Sequence, residues 1–230
     1  MSTERNPSQT YWAAWYRAHR EAPVVSDGWL EPFSDLIAAC STPVLDLGCG
    51  AGNDTASLLA RGREVIPCDS CREALEILRC RFPEVRRTAC FDLRESLPFP
   101  DGFTDLVVAD LSLHYFSQRE TAAILADLRR VLRAEGVLLF RVNSVKDVCH
   151  GAGEGREVEP NFYQSPDGRH KRFFDREDLR RFLAGWEELA LYEETMTRYG
   201  SPKPLWTGAF RPGAAHDRTN GPDTEKARRP

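Results

Sequence analysis

The stretch that decides the fold is Val44-Leu45-Asp46-Leu47-Gly48-Cys49-Gly50-Ala51-Gly52-Asn53-Asp54, an apolar run that ends in an acid and continues into a glycine-rich turn. A helix-like segment begins directly after the turn. A strand that runs into a glycine turn and then a helix is how α/β proteins build a nucleotide pocket. Glycine suits this turn because a Cβ would hold a ligand away from the backbone, and because tight turns often need a positive φ. The stretch therefore predicts a nucleotide-binding α/β protein.

Length and composition are those of an ordinary globular protein. The 230 residues fit one α/β domain with extensions, and a net charge of −4 provides no overall field to attract a polyanion. A nucleic-acid partner is therefore not expected. The first ten residues are polar, and no run approaches the ~18 apolar residues of a membrane span. The seven scattered cysteines predict free thiols and no metal site, so the expected location is the cytoplasm, away from membranes.

Along the chain, apolar strand-like runs alternate with amphipathic helical segments. Strands are predicted at residues 43–47, 64–68, 85–89, 103–109 and 137–142, with a closing pair at 186–194 and 204–210. Capping-box patterns predict helix starts at Ser70 and Ser117, and Asp175 is expected to cap a third helix. This alternation predicts a doubly wound, mostly parallel sheet with helices on both faces.

The ends and one insertion depart from this pattern. Residues 1–9 and 212–230 lack an apolar pattern and are expected to be disordered, which leaves a single domain over residues 10–211. Glycines and prolines punctuate an insertion at residues 144–174, and long loops in compact domains are often functional. Its basic run, Arg169–Arg172, is more typical of a solvated turn than of an anion site.

The acid before the glycine turn indicates which nucleotide derivative binds. Asp46 is expected to face the crevice, where its carboxylate would repel a pyrophosphate and attract an ammonium group. Asn53 also stands where a dinucleotide fingerprint has its third glycine. S-adenosylmethionine carries an α-amino group and a sulfonium cation and has no phosphate, so it fits these residues better than a nicotinamide dinucleotide.

Two further acids follow the second and third predicted strands. Asp69 can accept hydrogen bonds from both ribose hydroxyls, and Asp92 can accept one from the exocyclic amine of adenine. Each acid also has a structural interpretation: Asp46 as a helix cap, Asp69 as the partner of an arginine, Asp92 as a turn residue. A fourth element, residues 97–105, runs into the fourth strand.

With these elements in register, residues 11–210 resemble the class I S-adenosylmethionine-dependent methyltransferases, and within them the general methyltransferase-domain type that includes the tellurite-resistance methyltransferases. The resemblance implies a seven-stranded sheet in the order 3-2-1-4-5-7-6, with the last strand antiparallel. It also implies transfer of a methyl group from S-adenosylmethionine, which leaves S-adenosylhomocysteine. The cofactor contacts that it implies are Tyr11, Asp46, Gly48, Cys49, Gly50, Asn53, Asp69, Ser70, Asp92, Leu93, Asp110 and Leu111.

The methyl acceptor is less well determined by the sequence. Methyl transfer from a sulfonium is an in-line displacement, so the protein mainly aligns and desolvates the acceptor. His114 is the candidate general base, and a packing or orienting role remains open for it. The tandem-proline motif used on amide and base nitrogens and a Pro-Cys pair are both absent, which argues against two types of nucleic-acid methyltransferase and leaves other RNA acceptors open; the expected acceptor is a small molecule. Candidate acceptor-facing residues are Tyr16, Tyr115, Asn143 and Tyr163.

Three alternatives stay open at this point. The aromatic N-terminal segment that contains Tyr11, Trp12, Trp15 and Tyr16 forms either a lid over the cofactor or a core-packing helix. The chain could be a non-catalytic S-adenosylmethionine-binding module, since no catalytic residue is certain. A nicotinamide-dependent oxidoreductase is the third reading, and Asp46 and Asn53 count against it. The sequence does not indicate the oligomeric state.

Overall fold

The computed structural model describes residues 7–213, which form a central sheet flanked by helices. The helices are α1 (Pro7–Ala18), α2 (Ser34–Ala39), α3 (Asn53–Ala60), α4 (Arg72–Arg81), α5 (Gln118–Val131) and α6 (Arg176–Phe182). The strands are β1 (Val44–Leu47), β2 (Val65–Asp69), β3 (Ala89–Cys90), β4 (Thr104–Asp110), β5 (Leu132–Asn143), β6 (Arg156–Glu159), β7 (Phe162–Gln164), β8 (His170–Arg172), β9 (Trp186–Met196) and β10 (Lys203–Pro212).

Seven strands form the main sheet in the order β3-β2-β1-β4-β5-β10-β9. The pairs among β1 to β5 are parallel, whereas β10 runs antiparallel to both of its neighbours. Strands β6, β7 and β8 form a separate three-stranded sheet. Counting only the main sheet, the order is 3-2-1-4-5-7-6 with an antiparallel last strand, which confirms the predicted fold class and topology.

The central strands are buried on both faces, as expected for a parallel sheet covered by helices on each side. Successive side chains of a strand alternate between two apolar clusters: Leu45 and Val107 belong to one, Val44 and Val108 to the other. All four are fully buried. Apolar side chains therefore fix the register of β1 and β4, and with it the position of the turn that follows β1.

Local hydrogen bonds explain where the helices begin. The capping box at Ser117 is confirmed, because its hydroxyl accepts from the Glu120 amide while the Glu120 carboxylate accepts from the Ser117 amide. Asp175 caps α6 as predicted, by accepting from the Asp178 amide at 2.7 Å. The capping box at Ser70 is wrong: α4 starts at Arg72 with no side-chain cap, and the Asp69 carboxylate accepts from the Cys71 amide instead.

Several segments differ from the sequence-based expectation. The third strand is only Ala89–Cys90, later and shorter than predicted, because exposed residues and Pro83 precede it. The insertion at 144–174 is not a plain loop, since it contains the small sheet. Helix α1 includes residues 7–9, which were expected to be disordered. Pro212, expected in the disordered tail, is the last residue of β10. The predictions for residues 1–6 and 214–230 concern segments outside the described residues.

Two properties of the described residues bear on function. None of the helices within residues 7–213 has the length and apolar character needed to cross a lipid bilayer. In the same range, no three histidine, cysteine or carboxylate side chains are grouped in a way that could hold a metal ion.

Candidate functional site

A cavity of about 460 Å³ lies at the carboxyl edge of the parallel strands. Its lining comes from the turn after β1, from the end of β2 and the residues that follow β2 and β3, and from residues 110–112 and 114–116 at the end of β4 and beyond it. Helix α1 contributes aromatic side chains. This position is the switch point between β1 and β4, where open α/β sheets bind their ligands. The volume is within the usual range of small-molecule sites.

The glycine turn is packed tightly between its neighbours. Gly48 and Gly50 have φ values of 69° and 54°, which side chains rarely adopt. A Cβ on Gly48 would lie 2.3 Å from Cβ of Ser112, and one on Gly50 would lie 2.3 Å from the Tyr16 hydroxyl oxygen. The turn therefore requires glycine both for its backbone conformation and because α1 and the loop after β4 touch it.

Asp46 lies beneath this turn and does not form part of the cavity wall. Its side chain is almost completely buried, and the Thr55 hydroxyl donates to its carboxylate at 2.5 Å. Burial raises the pKa of Asp46 to about 7. Asp46 can therefore act on a ligand in the cavity through its charge rather than by direct contact.

Sequence reasoning missed a second acid at the same turn. Asp54, in the first turn of α3, lines the cavity and accepts from the Trp29 indole nitrogen at 2.8 Å. Burial, followed by the charges of Asp110 and Asp46, raises the pKa of Asp54. The available signal was an acid at the start of a helix that follows the glycine turn.

Asp69 is placed as predicted, at the end of β2 and on the cavity wall. Its carboxylate accepts from the Gly50 amide at 2.9 Å and from the Cys71 amide at 2.8 Å, and burial raises its pKa. A carboxylate has about four lone-pair sites, so Asp69 keeps acceptor capacity toward the cavity. The arginine partner considered as an alternative does not appear among its hydrogen bonds or ion pairs in residues 7–213.

Asp92 lines the cavity too, but it is also held by a neighbour. Arg94 forms an ion pair with it at 2.9 Å, and the Gln9 amide of α1 donates to it at 3.3 Å. Asp92 thus combines the predicted position with the turn role that was considered as an alternative. Other predicted cofactor contacts on the cavity wall are Tyr11, Gly48, Cys49, Gly50, Asn53, Ser70, Leu93, Asp110 and Leu111.

Helix α1 both packs on the domain and covers the cavity. Ala13 is buried against Ala74 of α4 and against Cys71, which directly precedes that helix. Trp12 reaches across to Tyr115, with ring centroids 6.3 Å apart. The four aromatic residues Tyr11, Trp12, Trp15 and Tyr16 all line the cavity. Both roles that the sequence left open therefore apply to α1: one face of the helix packs on the domain, and its aromatic side chains cover the cavity.

Asp110 is occupied by structural partners. It forms a two-bond ion pair with Arg141 at 2.7 and 2.8 Å, and Arg198 donates to it at 3.0 Å. Arg141 also pairs with Asp27 at 2.8 Å. Burial alone would raise the pKa of Asp110, but the two guanidinium groups hold it below its usual value. The next residue, Leu111, has a φ of 52°, a strained conformation of the kind that clusters at functional sites.

His114 is buried on the cavity wall, and its Nδ1 atom has no hydrogen-bond partner among the described residues. Burial, followed by the charges of Lys203 and Lys171, lowers the pKa of His114 well below its usual value. The imidazole is therefore neutral at physiological pH. This state can accept a proton, although the lowered pKa makes His114 a weak base.

The structure brings only some of the predicted acceptor residues together. Tyr16 and Tyr115 line the cavity, with Tyr16 beside Gly50. Asn143 and Tyr163 do not line it: the Asn143 amide faces the Arg172 carbonyl, at 3.5 Å, and Tyr163 lies beside Glu157 on the small sheet. Cavity residues that the sequence did not indicate are His150, Arg198, Tyr199 and Lys203, which come from the insertion and the β9–β10 hairpin.

The basic run of the insertion also differs from expectation. Arg169 and Lys171 line the cavity instead of a solvated turn, and Arg169 lies 3.6 Å from the centre of the Tyr11 ring. A folded-back strand, β8, places these side chains at the site. Sequence spacing offers no signal for such a fold-back.

Comparison with known proteins gives the family. Residues 45–140 match the family model described as a methyltransferase domain. The chain is 31% identical over 200 residues to tRNA N(3)-methylcytidine methyltransferase of Drosophila melanogaster, covering 77% of this chain and 61% of that protein. It is 33% identical over 180 residues to malonyl-[acyl-carrier protein] O-methyltransferase of Halorhodospira halophila, covering 75% and 58%. The chain thus spans about three fifths of the length of these relatives.

Among solved structures, the fold is similar to 1,6-didemethyltoxoflavin-N1-methyltransferase of Burkholderia thailandensis, which was crystallised with 1,6-didemethyltoxoflavin and S-adenosylhomocysteine. The TM-score is 0.66 at 22% identity, covering 90% of this chain and 88% of that one. Residues 45–140 thus match a methyltransferase domain, and the strand order and glycine turn agree with the fold of the class I, S-adenosylmethionine-dependent methyltransferases.

Proposed function

We propose that this protein transfers a methyl group from S-adenosylmethionine to a small-molecule acceptor. The observation that carries the proposal is a single cavity that contains both a surface suited to a nucleoside and a surface suited to a methyl acceptor. The glycine turn, Asp69 and Asp92 offer sites for a nucleoside, and Ser112, His114 and Tyr115 offer a second surface to an acceptor. Both surfaces must meet in one space if a methyl group is to pass directly from donor to acceptor.

The residues present fit this cofactor. Asp69 keeps acceptor sites for ribose hydroxyls, and Asp92 and Leu93, which line the same cavity, are the proposed adenine contacts. The buried Asp46 and Asp54 and the half-buried Asp69 surround the turn and favour a cation over a pyrophosphate. The bound cofactor supplies a methyl group that is already activated on a sulfonium.

The protein's own residues then position and shield the acceptor. Helix α1 excludes water, because Trp12 spans the cavity from the α4 side to Tyr115. His114 on the cavity wall is neutral and so keeps one unprotonated ring nitrogen, which can orient an acceptor O–H or N–H, or accept its proton as the methyl group is transferred. The lowered pKa of His114 favours the orienting role for acceptors that hold their proton tightly.

The covered cavity supports a small acceptor over a macromolecular one. One relative is named as a tRNA methyltransferase, so RNA is the alternative class of acceptor. This chain's net charge of −4 and the aromatic cover provided by α1 argue against a broad nucleic-acid surface.

Calorimetry with S-adenosylhomocysteine tests the cofactor half of the proposal. Micromolar-range binding is expected, and Asp69→Ala should weaken it by at least about tenfold because the ribose acceptor is lost. Asp101→Ala is the matched control, since that carboxylate is exposed and, within residues 7–213, its ion pair is with Arg130. Failure of the folded protein to bind S-adenosylhomocysteine would contradict the proposal.

Turnover tests the other half. Release of S-adenosylhomocysteine is measured with small acids, phenols, amines and thiols, and separately with total tRNA. Turnover of a small molecule supports the proposal, whereas turnover of tRNA alone would replace it with RNA modification. Binding of the cofactor without turnover of any acceptor would favour a non-catalytic binding module.

A further inference from the structure

The side of the cavity formed by β8, β10 and the loop after β4 is basic. Four side chains line it, which we call the lysine cluster: His114, His150, Lys171 and Lys203. Lys203 is the first residue of β10, and Lys171 lies on β8. The residue after Lys171, Arg172, donates its backbone amide to the His114 carbonyl at 2.7 Å. In the main sheet, β4 and β5 separate β10 from β1. The lysine cluster is therefore on the opposite side of β4 from the glycine turn.

One carboxylate neutralises only part of this charge. Asp147 is completely buried, and its two oxygens accept from Lys203 at 2.5 Å and from His150 at 2.6 Å. Lys203 and His150 thus each bind one oxygen of Asp147. Lys203 is almost fully buried and has its counter-ion in this carboxylate.

Lys171 has no such counter-ion. Its ammonium group donates to the His150 backbone carbonyl at 2.9 Å, and among residues 7–213 no carboxylate lies within ion-pair distance of it. Arg169, two residues earlier, is paired with Asp167 and stacks on Tyr11. Within the described part of the chain, the cluster therefore holds two ammonium groups but only one lysine ion pair, that of Lys203 with Asp147, whereas Asp147 and Glu154 act on Lys171 only through longer-range charge.

This excess is unfavourable in the protein without a ligand. Burial and the nearby Lys203 lower the pKa of Lys171 to about 8, and burial also lowers the pKa of Lys203. The same two lysines help to keep His114 neutral. Positive charge that is partly desolvated and not fully paired destabilises the fold, and such groups cluster at ligand sites. An anion bound between the lysines would remove the imbalance.

We propose that the methyl acceptor carries an anionic group, a carboxylate or a phosphate, that binds Lys171 and Lys203 beside His114. This inference rests on the proposed function, since it names the acceptor class of the same site. The neighbouring cavity wall is aromatic, with Tyr115 and Tyr199, so the anion belongs to an organic acceptor with a planar or apolar body. The anion fixes the acceptor's orientation, and the neutral His114 faces the group that receives the methyl.

The carboxylate of the cofactor's own methionine part is the competing occupant. The position of the cluster across β4 from the glycine turn argues against it, and an experiment can separate the two. If the lysines held the cofactor, replacing Lys171 would weaken binding of S-adenosylhomocysteine. If they hold the acceptor, that affinity stays unchanged within error.

The test uses three probes on the full chain saturated with S-adenosylhomocysteine: benzoate, its neutral analogue benzamide, and phenyl phosphate. Calorimetry should show saturable binding of benzoate or phenyl phosphate and no saturable binding of benzamide. The probe that binds more tightly indicates whether the acceptor's anionic group is a carboxylate or a phosphate. Lys171→Met should weaken anion binding by at least about tenfold, and Lys171→Arg should restore most of it. Lys146→Met, at an exposed lysine outside the cavity, is the matched control.

The outcomes separate this inference from the proposed function. Equal binding of benzoate and benzamide, no saturable binding of either anion, or anion binding unaffected by Lys171→Met would overturn the inference. Loss of S-adenosylhomocysteine binding in Lys171→Met would overturn it as well, in favour of the cofactor carboxylate. Failure of the unmodified protein to bind S-adenosylhomocysteine contradicts the proposed function instead. In that case the anion titration is repeated in the absence of S-adenosylhomocysteine, and it shows whether the anion site exists independently of the cofactor site. Melting temperatures of all variants confirm that they fold.

Discussion

At the scale of single residues, Gly50 shows how backbone conformation and packing act together. Its φ is positive, and the Tyr16 hydroxyl occupies the place of a Cβ. Gly62 has a comparable φ of 70° with nothing near its missing Cβ, so it isolates the backbone contribution. The two glycines form a matched pair for separating strain from steric contact.

We expect Gly62→Ala to lower the free energy of unfolding by about 1–2 kcal/mol, through strain alone. Gly50→Ala should cost more, because Tyr16 must move away, and it should also abolish measurable S-adenosylhomocysteine binding. Urea denaturation and calorimetry on both variants check this. If both variants lose the same free energy of unfolding and Gly50→Ala still binds the cofactor, then Tyr16 can move aside without loss of stability and its contact with Gly50 is not needed for binding.

The buried acids at the turn predict a pH-dependent affinity for the cofactor. Burial raises the pKa of Asp46 to about 7 and also raises the pKa values of Asp54 and Asp69. A cationic ligand favours their ionised forms, so the affinity for S-adenosylmethionine should rise between about pH 6 and pH 8 and then level off. The neutral 5′-methylthioadenosine should show a much flatter profile when titrated over the same range.

Asp46→Asn supplies the check on which acid is responsible. It removes the group with a raised pKa of about 7 while leaving the Asp69 carboxylate in place. The pH dependence for S-adenosylmethionine should shrink, and affinity at high pH should fall toward the value at low pH. An unchanged profile would assign the dependence to Asp54 or Asp69.

At the scale of elements, hydrogen-bonded caps decide which helix starts could be predicted. Ser117 and Ser70 have the same sequence pattern, yet only Ser117 forms its capping box. Ser117→Ala should lower the free energy of unfolding by about 1 kcal/mol. Ser70→Ala, whose hydroxyl caps nothing, is the matched control and should leave stability nearly unchanged. Chemical denaturation measures both, and equal losses would contradict the assignment.

These two serines also show where sequence reasoning reaches its limit. A pattern predicts that α4 starts near Ser70, which is right, but the Asp69 carboxylate already binds the backbone amide of Cys71 and leaves the serine no role. Predicted strands with strong apolar patterns, such as β1 and β4, are found within a residue or so of their expected bounds. The weak third strand is not, because exposed polar residues precede it.

At the scale of the whole molecule, the site joins segments that are far apart in the chain. The glycine turn and its following acids were predictable, because local strand–turn–helix patterns position them. Lys171 and Lys203 were not, since a fold-back of the insertion and an antiparallel last strand bring them to the cavity. Long-range placement of this kind depends on tertiary pairing, which single-sequence periodicity does not record.

The buried ion-pair network is the clearest case of such long-range assembly, and it can be tested. Arg141 on β5 is almost fully buried between Asp110 on β4 and Asp27 of the N-terminal segment. Arg141→Met would leave two carboxylates with Arg198 as their remaining partner. Breaking a buried pair from one side typically costs about 3–5 kcal/mol.

Arg133→Met provides the comparison, because Arg133 is half-exposed and pairs with Asp105 at the surface. Its loss should cost less than about 1 kcal/mol. The pH dependence sharpens the test: the pKa of Asp110 is held low by Arg141 and Arg198, so its stabilisation is present above the unfolded-state pKa and lost as pH falls through the folded value. In Arg141→Met that acid-sensitive part should shrink, while Arg133→Met should keep it. The prediction is contradicted if both variants lose a similar free energy of unfolding in urea at neutral pH and keep the same dependence of stability on acid pH. The ion pairs would then contribute little, and apolar packing alone would hold the N-terminal segment against the sheet.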